Sequence, residues 1–588
     1  MFFGVWLATV LVYLPCVRYS FVSHDDQEYV YQNDHVKGGL TASNLLWAVK
    51  SCGYACNWHP LAWMSLQADA WAREELGVMS DELGVMSDEG NGMQGLDGLA
   101  HVMHLHNVIL HGANAALLFA LMILLCGRGK ASVVPLLALV ALLWSIHPLR
   151  TEVVCWISER KELSSVFFML LAMISWCWGR RGRSPRPTDS TARQLITHHL
   201  SLITFALAVA AKPVAVSLPA ALFAWDWVIC RRPFVRSVIA QIPFALIAVG
   251  GAAMTLAAQV NAVEVGSCYT VLERIVMSVN APIIYIRQSL LPVGLSIFYP
   301  IRPPIPWVET VLGVVLLGAM AAVVVLWTSD ELRVKSEELN KDGSSSSSLI
   351  THHSSLLPLL VFGIAWAYVA LLPMLGIVKV GDQTHSDRYT YWAGCAFFAV
   401  AAMIGTRFVS GREKIAAQVM AVVLAVMTFA TWQRMPVWSS SLALYCDSVP
   451  KSWEPQAVCA LAQEFRRMEG DGFKRAEALL REALSHTKDL DVRAEYANLM
   501  AFKAQKSAFR LDESEPDPAF AEVKMECDFV LHYDPKNLRA NEALAVVAEK
   551  EGDWTNAVRY LEKARESGRD IEWIDAELNA CRDRLPKE

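Results

Sequence analysis

Two adjacent carboxylates follow the first apolar run, in Phe21-Val-Ser-His24-Asp25-Asp26-Gln-Glu-Tyr-Val-Tyr-Gln-Asn33-Asp-His-Val36. Neighbouring like charges raise one another's pKa, so one of Asp25 and Asp26 is prepared to hold or take a proton near neutral pH. A base beside a membrane is what transfer of a lipid-linked group to a hydroxyl requires. A pair of solvated loop acids capping a helix is the plainer reading. Asn57-Trp58-His59-Pro60-Leu61 is a rigid turn with the aromatic faces and donors that a sugar site needs, as does any amphipathic interfacial helix. His104, Asn107, His111 and Asn114 recur at spacings of 3, 4 and 3, which puts four polar groups on one helix face. In an apolar span such a stripe faces protein or water, as a site lining or as a buried hydrogen-bonded seam. No Cys or carboxylate on that helix completes a zinc site, so no metal is expected.

Three more segments carry charge. His147-Pro148-Leu149-Arg150-Thr-Glu152 and Trp156-Ile-Ser158-Glu159-Arg160-Lys161-Glu162 share a loop. Their cations suit a lipid phosphate whose negative charge grows as its sugar departs, unless Glu152, Glu159 and Glu162 simply pair with them. Lys212-Pro213 breaks two apolar runs, and a lysine there needs water or an anion. Gln383-Thr-His385-Ser-Asp387-Arg388-Tyr389-Thr-Tyr391 offers another acid, another cation and two aromatics.

Apolar runs must position these residues. They fall at 2–17, 105–126, 132–146, 164–179, 199–211, 214–229, 237–259, 309–327, 355–376, 391–406 and 416–432. The first lacks a basic n-region and cleavage site and reads as a retained span. Loops rich in Arg (Arg180, Arg181, Arg183, Arg186, Arg193; Arg231, Arg232, Arg236; Arg407, Arg412, Lys414) belong in the cytoplasm. Parity then makes 274–291 an interfacial or re-entrant helix and predicts about eleven crossings. The N-terminus is inside and the tail outside. Nearly every motif-like loop falls on the external side, and the Ser344–Ser348 run on the other. An exact copy, Glu75–Asp81 repeated as Glu82–Asp88, marks an exposed, insertion-tolerant part of the first external loop, 18–103.

Composition agrees. The chain is 54% hydrophobic and 19% charged, which favours a membrane protein. From Gln433 onward there are 23 Lys+Arg and 30 Asp+Glu, a net of −7, while the 29 and 28 before it nearly cancel. No concentrated basic surface points to nucleic acid. The thirteen Cys form no CxxC pair, and Cys52 and Cys56 read as unpaired thiols. The expected domains are a multi-spanning unit, 1–432, and a soluble helical tail, 433–588. In the tail, Gly552, Ala557, Leu561 and Ala564 hold tetratricopeptide-like phasing, preceded by Pro535, and Ala476, Leu480 and Ala483 form an earlier unit. The stretch Asp512–Pro518 is irregular. Such hairpin stacks present grooves to proteins; a plain helical tail without a ligand is the other reading.

Together these motifs resemble the transmembrane and tetratricopeptide repeat proteins, O-mannosyltransferases acting on cadherins, and their bacterial relatives. The similar stretches are Phe-Val-x-x-Asp25-Asp26 with Asn33-Asp34, Asn57–Leu61, His104-x-x-Asn107-x-x-x-His111, His147–Glu152 with Ser158–Lys161, Lys212-Pro213 and Asp387–Tyr389. They run in order over roughly 15–435. The resemblance implies an all-α, C-type glycosyltransferase body and a polyprenyl-phosphate sugar donor, with no metal or other cofactor. It implies Asp25 or Asp26 as the base that activates a Ser/Thr hydroxyl, and a phosphate clamp drawn from Arg160, Lys161, Lys212 and Arg388. His24, Asn33, Trp58, His59, His104, Asn107, His111, His147, Glu152, Glu159 and Asp387 are expected to line the site. The expected protein is an inverting transferase of a hexose such as mannose, with a protein acceptor or partner at the tail. It would sit in a bacterial inner membrane with a periplasmic tail, or in an endoplasmic reticulum membrane with a lumenal one. The alternatives are a membrane-anchored repeat scaffold without catalysis and a transferase acting on a lipid or cell-wall glycan. The chain departs from the family in its short, degenerate tail, its clipped first span and the duplicated insertion.

Overall fold

The computed structural model describes residues 1–76, 96–126, 133–180, 187–259, 270–300, 306–339, 356–375, 383–409, 411–468, 470–507, 518–567 and 571–585. The Glu75–Asp88 duplication from residue 77 on, Arg181, Arg183, Arg186, the Ser344–Ser348 run and residues 512–517 lie outside them. Among the described residues the architecture is all-helical, with one isolated bridge between Pro300 and Gln383. The chain divides into two units, Met1–Ser440 and Ser441–Glu588. The first unit thus runs eight residues past the expected boundary at 432, because the helix Glu413–Arg434 continues into Met435–Trp438, whose Trp438 stacks on Trp156 at 5.6 Å.

Eight helices among the described residues are long and apolar enough to cross a membrane, as expected for an integral membrane protein. Within the described residues each of the eleven apolar runs is carried by helix, but three are not straight spans. Val134–Ser145 bends by 55° into Pro148–Cys155, while Phe2–Arg18 and Pro213–Ile229 are shorter. Proline explains each interruption. Pro15, Pro148 and Pro213 lack the amide that continues a helix, and each sits at the start of a short 3-10 segment. A hydropathy window reads through such breaks. The segment expected to be interfacial is one helix, Val271–Leu290, begun by a capping box of Thr270 and Glu273; it is not among the eight.

The helix Asp97–Cys126 lies at the centre, packed against Phe2–Tyr13, Val134–Ser145, Arg160–Arg180 and Thr390–Phe408. At Gly112 a side chain would meet Trp6 and Val10, so the missing Cβ lets the first helix lie close. Trp307–Leu339 and Glu413–Arg434 are peripheral and turn Val314, Val315, Val419, Val422 and Phe429 outward. An exposed belt of this kind suits a hydrocarbon surrounding better than water.

The second unit is a succession of helices from Ser441–Ser452 to Ile571–Arg582, each packed on its sequence neighbour. Six of the phased residues are buried: Ala476, Leu480 and Ala483 on one helix, Ala557, Leu561 and Ala564 on another. Gly552, at φ +74°, makes the left-handed turn before the latter.

Candidate functional site

The acid pair sits in a tight turn that separates its two members. Asp25 has φ +62°, a left-handed conformation that Asp tolerates better than most residues. Adjacent side chains therefore diverge. Asp26 is 1% exposed, and its Oδ2 accepts from Val22 N at 3.0 Å. Its Oδ1 accepts from Ser158 N at 3.0 Å and Ser158 Oγ at 2.5 Å. This carboxyl staples the first loop to the 157–159 turn. Burial pushes its pKa up to about 7, against the opposing hydrogen bonds from Ser158 and Val22. Asp25 keeps a 41% exposed side chain, with Lys161 Nζ 3.6 Å from its Oδ2. Burial would raise its pKa, but Lys161, His24 and Arg388 outweigh that and hold it below the ordinary value. The two acids thus differ: Asp26 is bound on both oxygens and Asp25 is open.

Lys161 ties Asp25 to a cluster in which the other motif loops converge. Glu159 is surrounded by three of the expected phosphate cations: Lys212 at 2.9 Å, Lys161 at 3.6 Å and Arg388 at 3.7 Å. Lys212 also reaches Glu162 at 2.9 Å, and Arg388 pairs with Glu152 at 2.6 Å. The Arg388 backbone N–H donates to the same Glu152 at 2.9 Å. The glutamates therefore do pair with these cations. Trp156 forms the aromatic floor. Lys161 and Arg388 lie 5.5 Å and 5.6 Å from its ring centroid, the His24 ring is 5.1 Å away, and its indole N–H donates to His24 O at 2.9 Å. His24 also meets Phe298 edge-on at 5.3 Å; burial lowers its pKa, so it is neutral at pH 7.

One expected clamp residue, Arg160, and several expected lining residues have other work. Arg160 is fully buried and held by the protein itself: it pairs with Asp69 at 2.8 Å and donates to Asn107 Oδ1 at 2.5 Å, Ser65 Oγ at 2.8 Å and Met103 O at 2.7 Å. It anchors the helix Pro60–Leu76. Asn33 caps the helix Asp34–Lys37 through His35 N and Val36 N. Trp58 ties its indole N–H to Val49 O at 3.0 Å. His59 is buried between the rings of Tyr29 and Trp63, and burial holds its pKa well below the usual value.

The stripe on Asp97–Cys126 is a hydrogen-bonded seam. His104 meets Ser20 O at 3.5 Å, and Asn107 donates to Trp156 O at 3.2 Å. His111 bridges Tyr391 Oη at 2.7 Å and Ser145 O at 2.9 Å, and Asn114 donates to Leu163 O. His147 Nδ1 accepts from Leu149 N, capping the next turn, so its Nε2 carries the proton and donates to Ser289 O at 3.0 Å. Asp387 accepts from Tyr299 Oη at 2.7 Å and Gln288 Nε2 at 3.3 Å, which fixes the turn bearing Arg388. Among the described residues no His, Cys, Asp and Glu group forms a metal site.

Sequence reasoning did not select Trp156, Tyr29, Ser158, Phe298 or Tyr299 for the site. Trp156 and Ser158 stand inside the charged motif 156–162, so their position is a usable signal. Phe298 and Tyr299 carry none, because only folding brings 295–299 onto His24 and Asp387.

Beside the turn that carries Arg388 lies a mostly apolar cavity of about 270 Å³. Tyr285 and Thr390 line it together with Met320, Val323, Leu371 and Phe397. Tyr285 Oη accepts from Ser386 N at 3.4 Å, so the cavity abuts the polar cluster. Such a juxtaposition can hold an amphiphile with a charged head and an apolar chain. No family model, curated protein or solved structure matches this chain.

Proposed function

We propose that the chain is a membrane glycosyltransferase that moves a hexose, mannose by analogy, from a polyprenyl-phosphate donor to Ser/Thr hydroxyls of a protein acceptor, with inversion, on the external or lumenal side. The observation that carries this reading is the convergence of separated motif loops on one charged cluster: Lys161, Lys212 and Arg388 meet at Glu159, and Lys161 links that cluster to the open carboxylate of Asp25. Asp25 takes the proton of the acceptor hydroxyl as the new bond forms at the sugar carbon, and the bond to phosphate breaks. Asp26 positions it. Lys161, Lys212 and Arg388 offset the charge left on the phosphate, with Glu152, Glu159 and Glu162 holding them in place beforehand. The cavity beside Tyr285 and Thr390 suits the isoprenoid chain. The tail, read as tetratricopeptide-like, guides the acceptor.

The test is transfer from radiolabelled polyprenyl-phosphate hexose by purified protein in lipid, with Asp25→Asn and Asp26→Asn compared singly. Loss in Asp25→Asn and substantial retention in Asp26→Asn is expected. Unchanged transfer in Asp25→Asn would sink the assignment. The pairing of each clamp cation with a glutamate favours a second reading, a membrane-anchored scaffold. It requires that the tail on any single span restore the function lost by deletion. Transfer by the wild-type protein excludes it.

A further inference from the structure

Tyr29 lies one turn beyond Asp25: its backbone N–H donates to Asp25 O at 2.9 Å. The ring is buried among His59 and Trp63, with centroids at 5.3 and 4.5 Å, so the hydroxyl has a fixed place. That hydroxyl oxygen accepts twice, from Lys161 Nζ at 3.2 Å and from Asn57 Nδ2 at 3.4 Å. The Asn57 amide cannot be turned round, because its Nδ2 also donates to Ala55 O at 2.6 Å.

A phenol has two acceptor lone pairs and one proton to donate. Both lone pairs of Tyr29 are engaged, so what remains is the proton. Among the described residues no acceptor takes it. Buried donors rarely go without a partner, and an acceptor that meets this proton has a definable character. It lies beside the Lys161 ammonium, which holds Tyr29 Oη and Asp25 Oδ2 at once. An oxygen that meets both an ammonium and a phenol proton is best anionic. Burial raises the Tyr29 pKa well above its ordinary value, which keeps the phenol a neutral donor.

We infer that the Tyr29 hydroxyl donates a hydrogen bond to a phosphate oxygen of the lipid-linked donor, alongside Lys161. The inference rests on the transferase reading for the identity of the lipid, and on the hydrogen-bond count for the phosphate. Tyr29 is a phosphate-binding group and moves no proton itself. Asn57 orients it, which gives the Asn57–Leu61 turn a role that its sequence left open.

The experiment is titration of the purified full chain with farnesyl phosphate, with farnesol and inorganic phosphate as parallel probes. Tyr29→Phe keeps the ring and removes only the hydroxyl. The expected result is an affinity for farnesyl phosphate about tenfold or more weaker, with farnesol binding unchanged. Asn57→Ala, which removes one of the two orienting donors, gives a smaller change in the same direction and serves if Tyr29→Phe folds poorly. In the transfer assay Tyr29→Phe raises KM for the donor more than it lowers kcat, opposite to Asp25→Asn. Equal affinity of wild type and Tyr29→Phe for farnesyl phosphate overturns the inference, as does wild-type protein that binds farnesol equally well. Hydroxyl-dependent phosphate binding without any sugar transfer would uphold the phosphate site and overturn the transferase reading.

Discussion

The helix Arg160–Arg180 begins in one charged cluster and ends in another, and the two are built differently. At the far end, Asp226 is fully buried and both of its oxygens accept from protein donors. Trp176 Nε1 donates to it at 3.0 Å, Arg180 Nε at 3.2 Å and Arg232 at 3.1 Å, and the Arg180 guanidinium lies 3.9 Å from the Trp176 ring centroid. At the near end, Asp25 is 41% exposed with one cation at 3.6 Å, and the Tyr29 proton has no acceptor among the described residues. Twenty-one residues of helix separate these ends, about 30 Å. Both clusters hold acids, arginine or lysine, and tryptophan. What separates them is spare hydrogen-bonding capacity: a saturated cluster can only hold helices together, while an unsaturated one can accept a ligand.

Substitutions that attack each end should split accordingly. The largest effect is expected at Asp25: Asp25→Asn should lower kcat by about 10²–10⁴, with the unfolding midpoint nearly unchanged, as measured by transfer assay and thermal unfolding of the same preparation. Asp226→Ala should do the reverse. It strands two arginines and should destabilise the fold by about 3–5 kcal/mol, read by denaturant titration, while the folded fraction keeps its kcat. If Asp226→Ala abolished transfer by folded protein, the contrast between the ends would fail.

Asp26 sharpens the comparison inside the near cluster. Its folded pKa of about 7 stands above the ordinary 3.8, so its contribution to stability is full below about 4 and is lost as pH rises through 7. Wild-type protein should therefore lose stability over that window, and Asp26→Asn should flatten the loss; thermal unfolding at pH 4, 5.5 and 7 measures it. The smallest effect is expected from Asn33→Ala, which removes a helix cap. It should cost about 1 kcal/mol and leave KM for the donor unaltered, whereas a residue that touched the donor would change it.

The motif residues that proved to be caps and staples show why the list of candidates was too broad. Asn33, Arg160, His111 and His147 are polar residues at the same kind of loop or span position as the groups that remain open to the site. Polarity in an apolar segment says that a partner exists. It does not say whether that partner is the protein itself.

The sequence by itself determined the helical membrane body, the distinct charged tail and the segments that hold the polar groups, because hydropathy and charge are properties of contiguous residues. It also showed that Asp25 and Asp26 could not be equivalent to isolated acids. Only the tertiary structure decided which of them is open. A left-handed φ at Asp25 and the donors of Ser158, 132 residues away, send one carboxylate inward and leave the other beside Lys161. Burial and hydrogen-bond saturation are set by neighbours distant in sequence, and no local pattern records them.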